Sequence, residues 1–253
     1  MKKRTLSALL LAFVSFTLMG FIYVELGEEE AKEAPAAGAT ISGTVTYEGA
    51  VPRLRTIDMG AEPTCAAKHS SGAKSQALVL GDGNTMGNIF VRVKSGLSKT
   101  SYDPPKEPVV VDQEGCVYDP HVFGVMAGQD IKFLNSDGVL HNVHPLPKVN
   151  RGFNLAMPKT VTETTKKFDK VEEDKFVVKC DVHPWMQAYM AVMPHPFFNV
   201  TAKDGKYTIS GLEPGTYEIE AWHERLKTVT ATVTVKAGET ATQDFTFKRP
   251  SKK

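Results

Sequence analysis

The sequence predicts an all-β protein, and three observations support that fold class. Apolar and polar residues alternate with period two over much of the chain after residue 40, which is the pattern of half-buried strands. Twenty glycines and 15 prolines among 253 residues favour many turns between short elements. No long stretch shows the 3.6-residue period of an amphipathic helix. With 42% hydrophobic residues, a chain of this length can form one or two domains with true cores.

The strands can be placed in order along the chain. Alternating runs predict them at residues 41–47, 89–93, 122–134 (two strands about a glycine turn), 176–180, 207–212, 217–221, 229–235 and 245–247. The turn at residues 213–215, Glu-Pro-Gly, has proline before glycine as turns prefer. The C-terminal strands recur about every 8 to 12 residues, which is typical of a β-sandwich.

The overall charge excludes one class of function. Formal net charge is +1, whereas proteins that bind nucleic acid usually carry a marked basic excess. We therefore expect no nucleic-acid partner.

Residues 1–27 have the features of an export signal or a membrane anchor. The basic residues 2–4 precede an apolar stretch over residues 6–24. That stretch is close to the length of a bilayer span, whereas a cleavable signal has an apolar region of about 7 to 15 residues. The nearest Ala-x-Ala-like site, at residues 37–39, lies beyond an acidic run. These features favour an uncleaved anchor over a removed signal peptide.

Basic residues before the apolar stretch keep the N-terminus in the cytoplasm and send the remainder outside. We therefore expect a periplasmic or otherwise extracytoplasmic protein, anchored to the inner membrane by residues 6–24. Residues 28–39 are charged and then rich in Ala, Pro and Gly, which predicts a linker between the anchor and the folded part.

Residues 179–190, KCDVHPWMQAYM, place three donors for soft metals at the end of a predicted strand. Cys180, His183 and Met186 offer a thiol, an imidazole and a thioether within seven residues. Two histidines and one cysteine with a weak axial methionine are typical of blue copper sites. The second histidine would come from residues 134–147, LNSDGVLHNVHPLP, which follow another predicted strand.

Other interpretations of these residues stay open at this point. Zinc could use one cysteine and two histidines, although a thioether is a poor zinc ligand. Cys180 could also be a buried cysteine that lies near a histidine by chance. We expect the remaining histidines and methionines nearby to be structural, exposed or part of the core: His69, His121, His144, His195, His223, Met190 and Met193.

The three cysteines leave at least one without an intrachain partner. Outside the cytoplasm cysteines tend to oxidise, so we expect a disulfide between Cys65 and Cys116, with Cys180 kept as a thiolate ligand. One alternative pairs two of the three and leaves a buried bystander. Another alternative is a second metal site built from Cys65, His69, Cys116 and His121.

The two motifs together resemble the copper-binding segments of the cupredoxins. CDVHPWM, residues 180–186, resembles the ligand loop of amicyanin, with its Cys-x-x-His-Pro-x-Met spacing. LHNVH, residues 140–144, resembles the segment around that family's first histidine ligand, and residues 128–135 fit its approach strand. The resemblance covers roughly residues 108–195 and implies a Greek-key β-sandwich, the cupredoxin domain, over residues 105–196.

This resemblance implies a ligand set for one type 1 copper per chain. Three equatorial ligands and one axial ligand correspond to His141, Cys180, His183 and Met186. The family pattern also implies that the backbone N–H of Asn142 donates to the thiolate, a contact that tunes the metal. Plastocyanin-like loops carry the methionine two residues later, where this chain has Ala188, so the shorter amicyanin pattern fits and the longer one does not.

A second resemblance covers the C-terminal part of the chain. Residues 204–224, DGKYTISGLEPGTYEIEAWHE, resemble the carboxypeptidase regulatory-like, transthyretin-like sandwich, whose usual first strand resembles residues 41–52. We therefore expect a split sandwich, with residues 40–104 as its first part and 197–253 as its second, around the cupredoxin. The alternative is two sequential domains. Cupredoxins joined to such strands are often called methylamine-utilisation-like, which establishes no substrate.

The expected copper site favours electron transfer over catalysis. Catalytic metals normally keep an open position for substrate, which this ligand set does not offer. We expect a carrier of single electrons, not an enzyme, with redox partners such as a c-type cytochrome or a membrane oxidoreductase. The alternatives are a periplasmic copper carrier or store, and an adhesion or carbohydrate-binding module. Residues 145–147 and 184–186 are expected to form an apolar docking patch around an exposed edge of His183.

Overall fold

The computed structural model describes residues 38–249, and over this range the protein consists almost entirely of β-strands. The predicted all-β class is confirmed there. The strands are β1 (Ala39–Glu48), β2 (Val79–Leu80), β3 (Met86–Gly87), β4 (Phe90–Ser95), β5 (Val109–Glu114), β6 (Val117–Asp119), β7 (Val122–Met126), β8 (Asp130–Asn135), β9 (His141–Pro145), β10 (Leu155–Met157), β11 (Glu163–Lys167), β12 (Glu172–Lys179), β13 (Gln187–Met193), β14 (Phe198–Val200), β15 (Lys206–Leu212), β16 (Gly215–Trp222), β17 (Val229–Val235), β18 (Thr240–Thr242) and β19 (Phe245–Lys248).

Helical structure in this range is limited to two short segments. One is a five-residue helix, α1 (Pro63–Ala67), and the other is a single 3-10 turn at Asp82–Asn84. Between residues 38 and 249, no helix has the length and apolar character needed to cross a membrane. The predicted anchor, residues 1–27, lies outside the described residues, as does nearly all of the predicted linker.

Two sheets pack together around the candidate site. One has the strand order β10-β9-β12-β13-β7 and the other β11-β8-β5-β6. Their inward-facing residues share one buried cluster, to which Val111 and Phe133 contribute from the second sheet and Val143 and Val178 from the first. Because strand side chains alternate between the two faces, the same strands present polar residues to solvent. These nine strands form the sandwich that carries the site.

The other two large sheets combine strands from both ends of the described chain. β1 pairs with β15 antiparallel and with β18 and β19 parallel, while β4 lies between β14 and β16. Ile41, Val91, Ile219 and Phe247 belong to one buried cluster between these sheets. Before residue 100, β1 and β4 thus lie in sheets with strands after residue 197, whereas β2 and β3 pair with each other. On this pairing we propose the split arrangement of the regulatory-like sandwich around the other one.

Apolar and charged contacts join the two sandwiches. Phe90, Val122, Ala191 and Met193 form a small buried cluster, against which Trp222 packs. Ion pairs cross the same boundary: Arg92 contacts Glu173, and the Nζ of Lys175 lies 3.0 Å from Oε1 of Glu220, which also pairs with Arg92 inside its own sheet. The charges are paired where they are removed from water, as buried charges must be.

Residues 51–78, which we call the cap, connect β1 to β2 and fold against the sandwich that carries the site. Its helix α1 presents Cys65, whose Sγ lies 2.00 Å from Sγ of Cys116 in a disulfide that links positions 51 residues apart. Met59 and Ala73 of the cap join the core of that sandwich. The Nε2 of His69 also lies 2.7 Å from the carbonyl oxygen of Gly115. The cap is therefore fixed next to the loop that follows β5.

Candidate metal centre

The two predicted ligand segments meet because β9 and β12 are neighbours. Lys179 pairs with His144 in this antiparallel register, which places the beginning of β9 next to the residues that follow β12. The hydroxyl of Tyr118 lies 2.5 Å from the carbonyl oxygen of Asn142 and 3.1 Å from that of Lys179. This buried phenol thereby joins the two strands at the level of the site, and burial raises its pKa, so that it stays a neutral donor.

The loop after β12 is closed by its own backbone. The N–H of Cys180 donates to the carbonyl of Met186 at 3.1 Å, and the N–H of Met186 donates to the carbonyl of His183 at 2.9 Å. Trp185 donates from its indole nitrogen to the carbonyl of Cys116 at 3.1 Å. These bonds turn residues 180–186 back on themselves, so that Cys180 and His183 face the same side.

Three predicted ligands converge in a buried cluster. The Nδ1 atoms of His141 and His183 lie 2.9 Å apart, and Sγ of Cys180 lies 3.8 Å from Nδ1 of His183. The donor atoms of all three lie within 4.8 Å of one another, a group that could hold a metal ion. An ion about 2.0 Å from each imidazole nitrogen and about 2.3 Å from a thiolate holds such donors roughly 3 to 4 Å apart. The donor set and spacing therefore fit a metal ion.

Asp137 orients the first histidine of this cluster. Its Oδ2 lies 2.8 Å from Nε2 of His141, and both side chains are fully buried. The backbone N–H groups of Gly115 and Cys116 also donate to this carboxylate, and Lys68 of the cap pairs with it at 3.0 Å. A carboxylate that accepts the Nε2 proton leaves Nδ1 of His141 free to face the other donors.

The same contacts keep the carboxyl group of Asp137 ionised. Burial alone would raise the pKa of the carboxyl, but the hydrogen bonds from His141, Lys68, Cys116 and Gly115 outweigh it and lower the pKa to about 2. Sequence reasoning missed this residue. The available signal was an acidic side chain in the Ser-Asp-Gly turn directly before the histidine segment.

We expect Asp137→Asn to weaken metal binding without unfolding the protein. The amide can keep an acceptor for His141 and for the N–H of Cys116 but loses the negative charge, and its NH2 group, in the place of Oδ1, conflicts with the N–H of Gly115 and with Lys68. Losing a carboxylate behind a histidine ligand typically costs about 10- to 100-fold in metal affinity. Competition with a chromophoric copper chelator measures this loss. Asp130→Asn, at an exposed carboxylate paired with Lys167, is the matched control, and equal affinities in the two variants would contradict the prediction.

The surroundings of the thiol favour its charged form. Burial raises the pKa of Cys180, but the hydrogen bond with His141 and the N–H groups of Asn142, His183 and Val182 oppose burial, so the net pKa is lowered. For His183, burial and the neighbouring His141 both lower the pKa of the imidazole. A thiolate beside a neutral imidazole is the protonation state that binds a soft cation.

Asn142 lies next to the thiol of Cys180. Its backbone nitrogen is 3.5 Å from Sγ of Cys180. Its side chain contacts Asn154 and the backbone of Asp181, so the residue connects β9 to the ligand loop. His144 does not join the cluster: it is partly exposed, and its Nδ1 lies 2.8 Å from Oδ2 of Asp181.

The prediction that one edge of the His183 ring is exposed is wrong. This residue is only 2% exposed, because the cap covers it. Sγ of Cys65 lies 3.9 Å from Nε2 of His183, on the opposite side of the ring from the other donors. The sequence gives no sign that a segment more than one hundred residues away folds over this imidazole.

The other candidate residues take separate places. Met186, Met190 and Met193 are all buried. The ligand atoms of Cys65, His69, Cys116 and His121 form no common cluster among residues 38–249. Cys116 does lie near Asp137 and His141 in a second group of possible ligands, but its sulfur is in the disulfide and offers no thiolate.

Comparison with known proteins identifies one part of the chain. Residues 198–248 match the sequence model of the carboxypeptidase regulatory-like domain. The predicted regulatory-like domain is therefore confirmed for these residues. Among curated proteins, no significant sequence match to the chain is found.

Several solved structures of copper proteins are similar to part of the chain. A Cu-containing nitrite reductase from Thermus scotoductus SA-01 is 18% identical, with a TM-score of 0.32 over 39% of this chain and 25% of that one. An oxidised amicyanin variant is 20% identical, with a TM-score of 0.31 over 41% of this chain and 98% of that one. The purple cupredoxin from Nitrosopumilus maritimus is 18% identical, with a TM-score of 0.28 over 34% and 99%. This chain thus spans about a quarter of the nitrite reductase.

Proposed function

We propose that this protein is an extracytoplasmic type 1 copper protein that carries single electrons between redox partners. The observation that carries the proposal is the buried convergence of Cys180 Sγ, His141 Nδ1 and His183 Nδ1. A thiolate and two imidazoles with a methionine in the same loop form a donor set suited to copper. Copper bound there would supply a one-electron couple. One copper per chain is expected, because the described residues offer one such donor set.

The protein's own residues would keep the geometry constant during electron transfer. Tyr118 holds β9 to β12, Asp137 holds His141, and the backbone bonds of residues 180–186 hold the loop. His141, Cys180 and His183 are all almost completely buried, so water and substrates are kept from the donors. A rigid site without an open position favours electron transfer over catalysis. We therefore propose a carrier, not an enzyme.

A redox partner would dock beside the ligand strands and not on the covered His183. Leu140, directly before His141, is 47% exposed, and Val182, between Cys180 and His183, is 43% exposed. Apolar residues next to two ligands give a short route to the site and a surface suited to weak, transient docking. A c-type cytochrome or a membrane oxidoreductase is the kind of partner we propose, with the chain held at the membrane by residues 6–24.

Absorption and EPR spectra of the full-length protein test the proposal. With one Cu(II) bound per chain, we expect an intense visible band from thiolate-to-copper charge transfer and the EPR spectrum of a type 1 site. A c-type cytochrome should then oxidise and reduce the protein without loss of copper. A protein that only stores copper needs no such reversible reaction. A protein that holds one copper per chain but stays colourless would refute the assignment.

Met186 provides a prediction about the axial position. A thioether favours Cu(I), so Met186→Gln should lower the reduction potential while the other three donors keep copper bound. The matched control is Met190→Leu, a core swap of similar volume that should cost less than about 1.5 kcal/mol and leave the potential unchanged. Voltammetry and EPR of the two variants decide the matter. A shift in Met190→Leu but not in Met186→Gln would mean that Met186 is not the axial ligand.

A further inference from the structure

His121 connects the regulatory-like sandwich to the ligand loop. It is buried, its Nδ1 lies 2.9 Å from the carbonyl oxygen of Gln187, and its Nε2 lies 2.8 Å from Oε2 of Glu224. Both partners are oxygen acceptors, so each ring nitrogen lies against one of them. His121 therefore offers no free nitrogen for catalysis or for a metal, and its two bonds point to a role in holding the loop.

The two ends of this connection belong to different parts of the protein. Glu224 follows β16 inside residues 198–248, which match the regulatory-like domain. Gln187 directly follows Met186 and begins β13. Tyr189 packs edge-on against the His121 ring at 5.7 Å and contacts Trp222 at 5.5 Å, so aromatic packing supports the same connection.

The carbonyl that His121 binds belongs to Gln187, the residue directly after Met186. Hydrogen bonds within residues 180–186 close the loop on one side, through the N–H and the carbonyl of Met186. On the other side, the bond from His121 holds the peptide between Gln187 and Ala188, one residue after Met186. The side chain of Glu224 is 2% exposed, and its second oxygen lies 3.0 Å from Nε of Arg225. Charge-assisted bonds in such a dry environment are stronger and more directional than exposed ones.

We propose that Glu224 and His121 are positioning residues through which the regulatory-like sandwich sets the place of Met186 in the metal site. The inference rests on the proposed function, because the position of Met186 matters through its contact with copper. It gives the second sandwich a role at the site, although none of its side chains contributes a predicted ligand.

The test compares two ion pairs that both join the sandwiches. Glu224→Leu removes the acceptor for His121, whereas Glu173→Leu removes the partner of Arg92 at a pair that does not contact residues 180–187. We expect Glu224→Leu to lower the reduction potential, as Met186→Gln does, by a shift equivalent to about tenfold in the Cu(I)-to-Cu(II) ratio, or ~59 mV for one electron. Glu173→Leu should leave the potential and EPR spectrum unchanged, and Glu224→Gln, which keeps an acceptor but loses the charge, should shift the potential less than Glu224→Leu does.

A second readout does not need copper. In the metal-free protein, the amide NMR signals of residues 186 and 187 should move in Glu224→Leu and not in Glu173→Leu. If Glu224→Leu does not fold, His121→Phe, which keeps an aromatic ring against Tyr189, takes its place in both measurements. Unchanged amide signals, or equal shifts in the Glu173→Leu control, would overturn the inference. A wild-type protein without a coloured copper site would refute the proposed function, while the metal-free NMR comparison still decides the role of Glu224 and His121.

Discussion

Replacing Cys180 by serine should abolish the visible absorption band of the copper-loaded protein completely. The band arises from charge transfer between a thiolate and copper, and Cys180 is the free cysteine of the chain, since the other two are joined in the disulfide. A serine hydroxyl is a harder and less acidic donor, so copper affinity should fall as well. Absorption spectroscopy at equal copper occupancy, with circular dichroism to verify the fold, measures the effect.

His144→Gln is the control for this prediction. His144 lies three residues from His141 but outside the donor cluster, and it pairs with Asp181 at the surface. The His144→Gln variant should therefore keep the absorption band, whereas the His141→Gln variant should lose it. A band that survives in Cys180→Ser would show that the thiolate of Cys180 is not the ligand.

Removing the disulfide should produce the largest loss of stability. The double substitution Cys65→Ser and Cys116→Ser releases a link between positions 51 residues apart. On the chain-entropy model, closing a loop of this size raises the free energy of the unfolded chain by about 4 kcal/mol, because it removes conformational entropy. Chemical denaturation, followed by fluorescence, should show the free energy of unfolding reduced by about this amount.

The same double substitution should also change access to His183. The cap is joined to the site by the disulfide, by the ion pair of Lys68 with Asp137 and by the contact of His69 with Gly115. With the covalent link removed, we expect faster reaction of His183 with an imidazole-modifying reagent in the metal-free protein. Lys68→Ala, which keeps the disulfide, serves as the control. Peptide mapping that found Cys180 in a disulfide would contradict both the thiolate ligand and the bond between Cys65 and Cys116.

Local patterns in the sequence were enough for nine of the strands, among them β1, β12 and β16, and for the choice of candidate donors, but they missed others such as β5, β9 and β13. Period-two alternation reports which side of a strand is buried, and that information is contained in each segment by itself. The spacing of Cys180, His183 and Met186 likewise depends on a single tight loop. The regulatory-like part could be recognised for the same reason, since its motif at residues 204–224 is contiguous.

Only the tertiary structure decided the surroundings of those donors. The cap over His183, the carboxylate of Asp137 behind His141, and the connection from Glu224 through His121 all depend on residues brought together from different strands and loops. Such contacts leave no periodic trace, because each involves one side chain at an irregular position. Sequence pattern by itself therefore predicted which residues are candidate donors, whereas burial and long-range packing decided which imidazole is covered, which is oriented and what holds the loop.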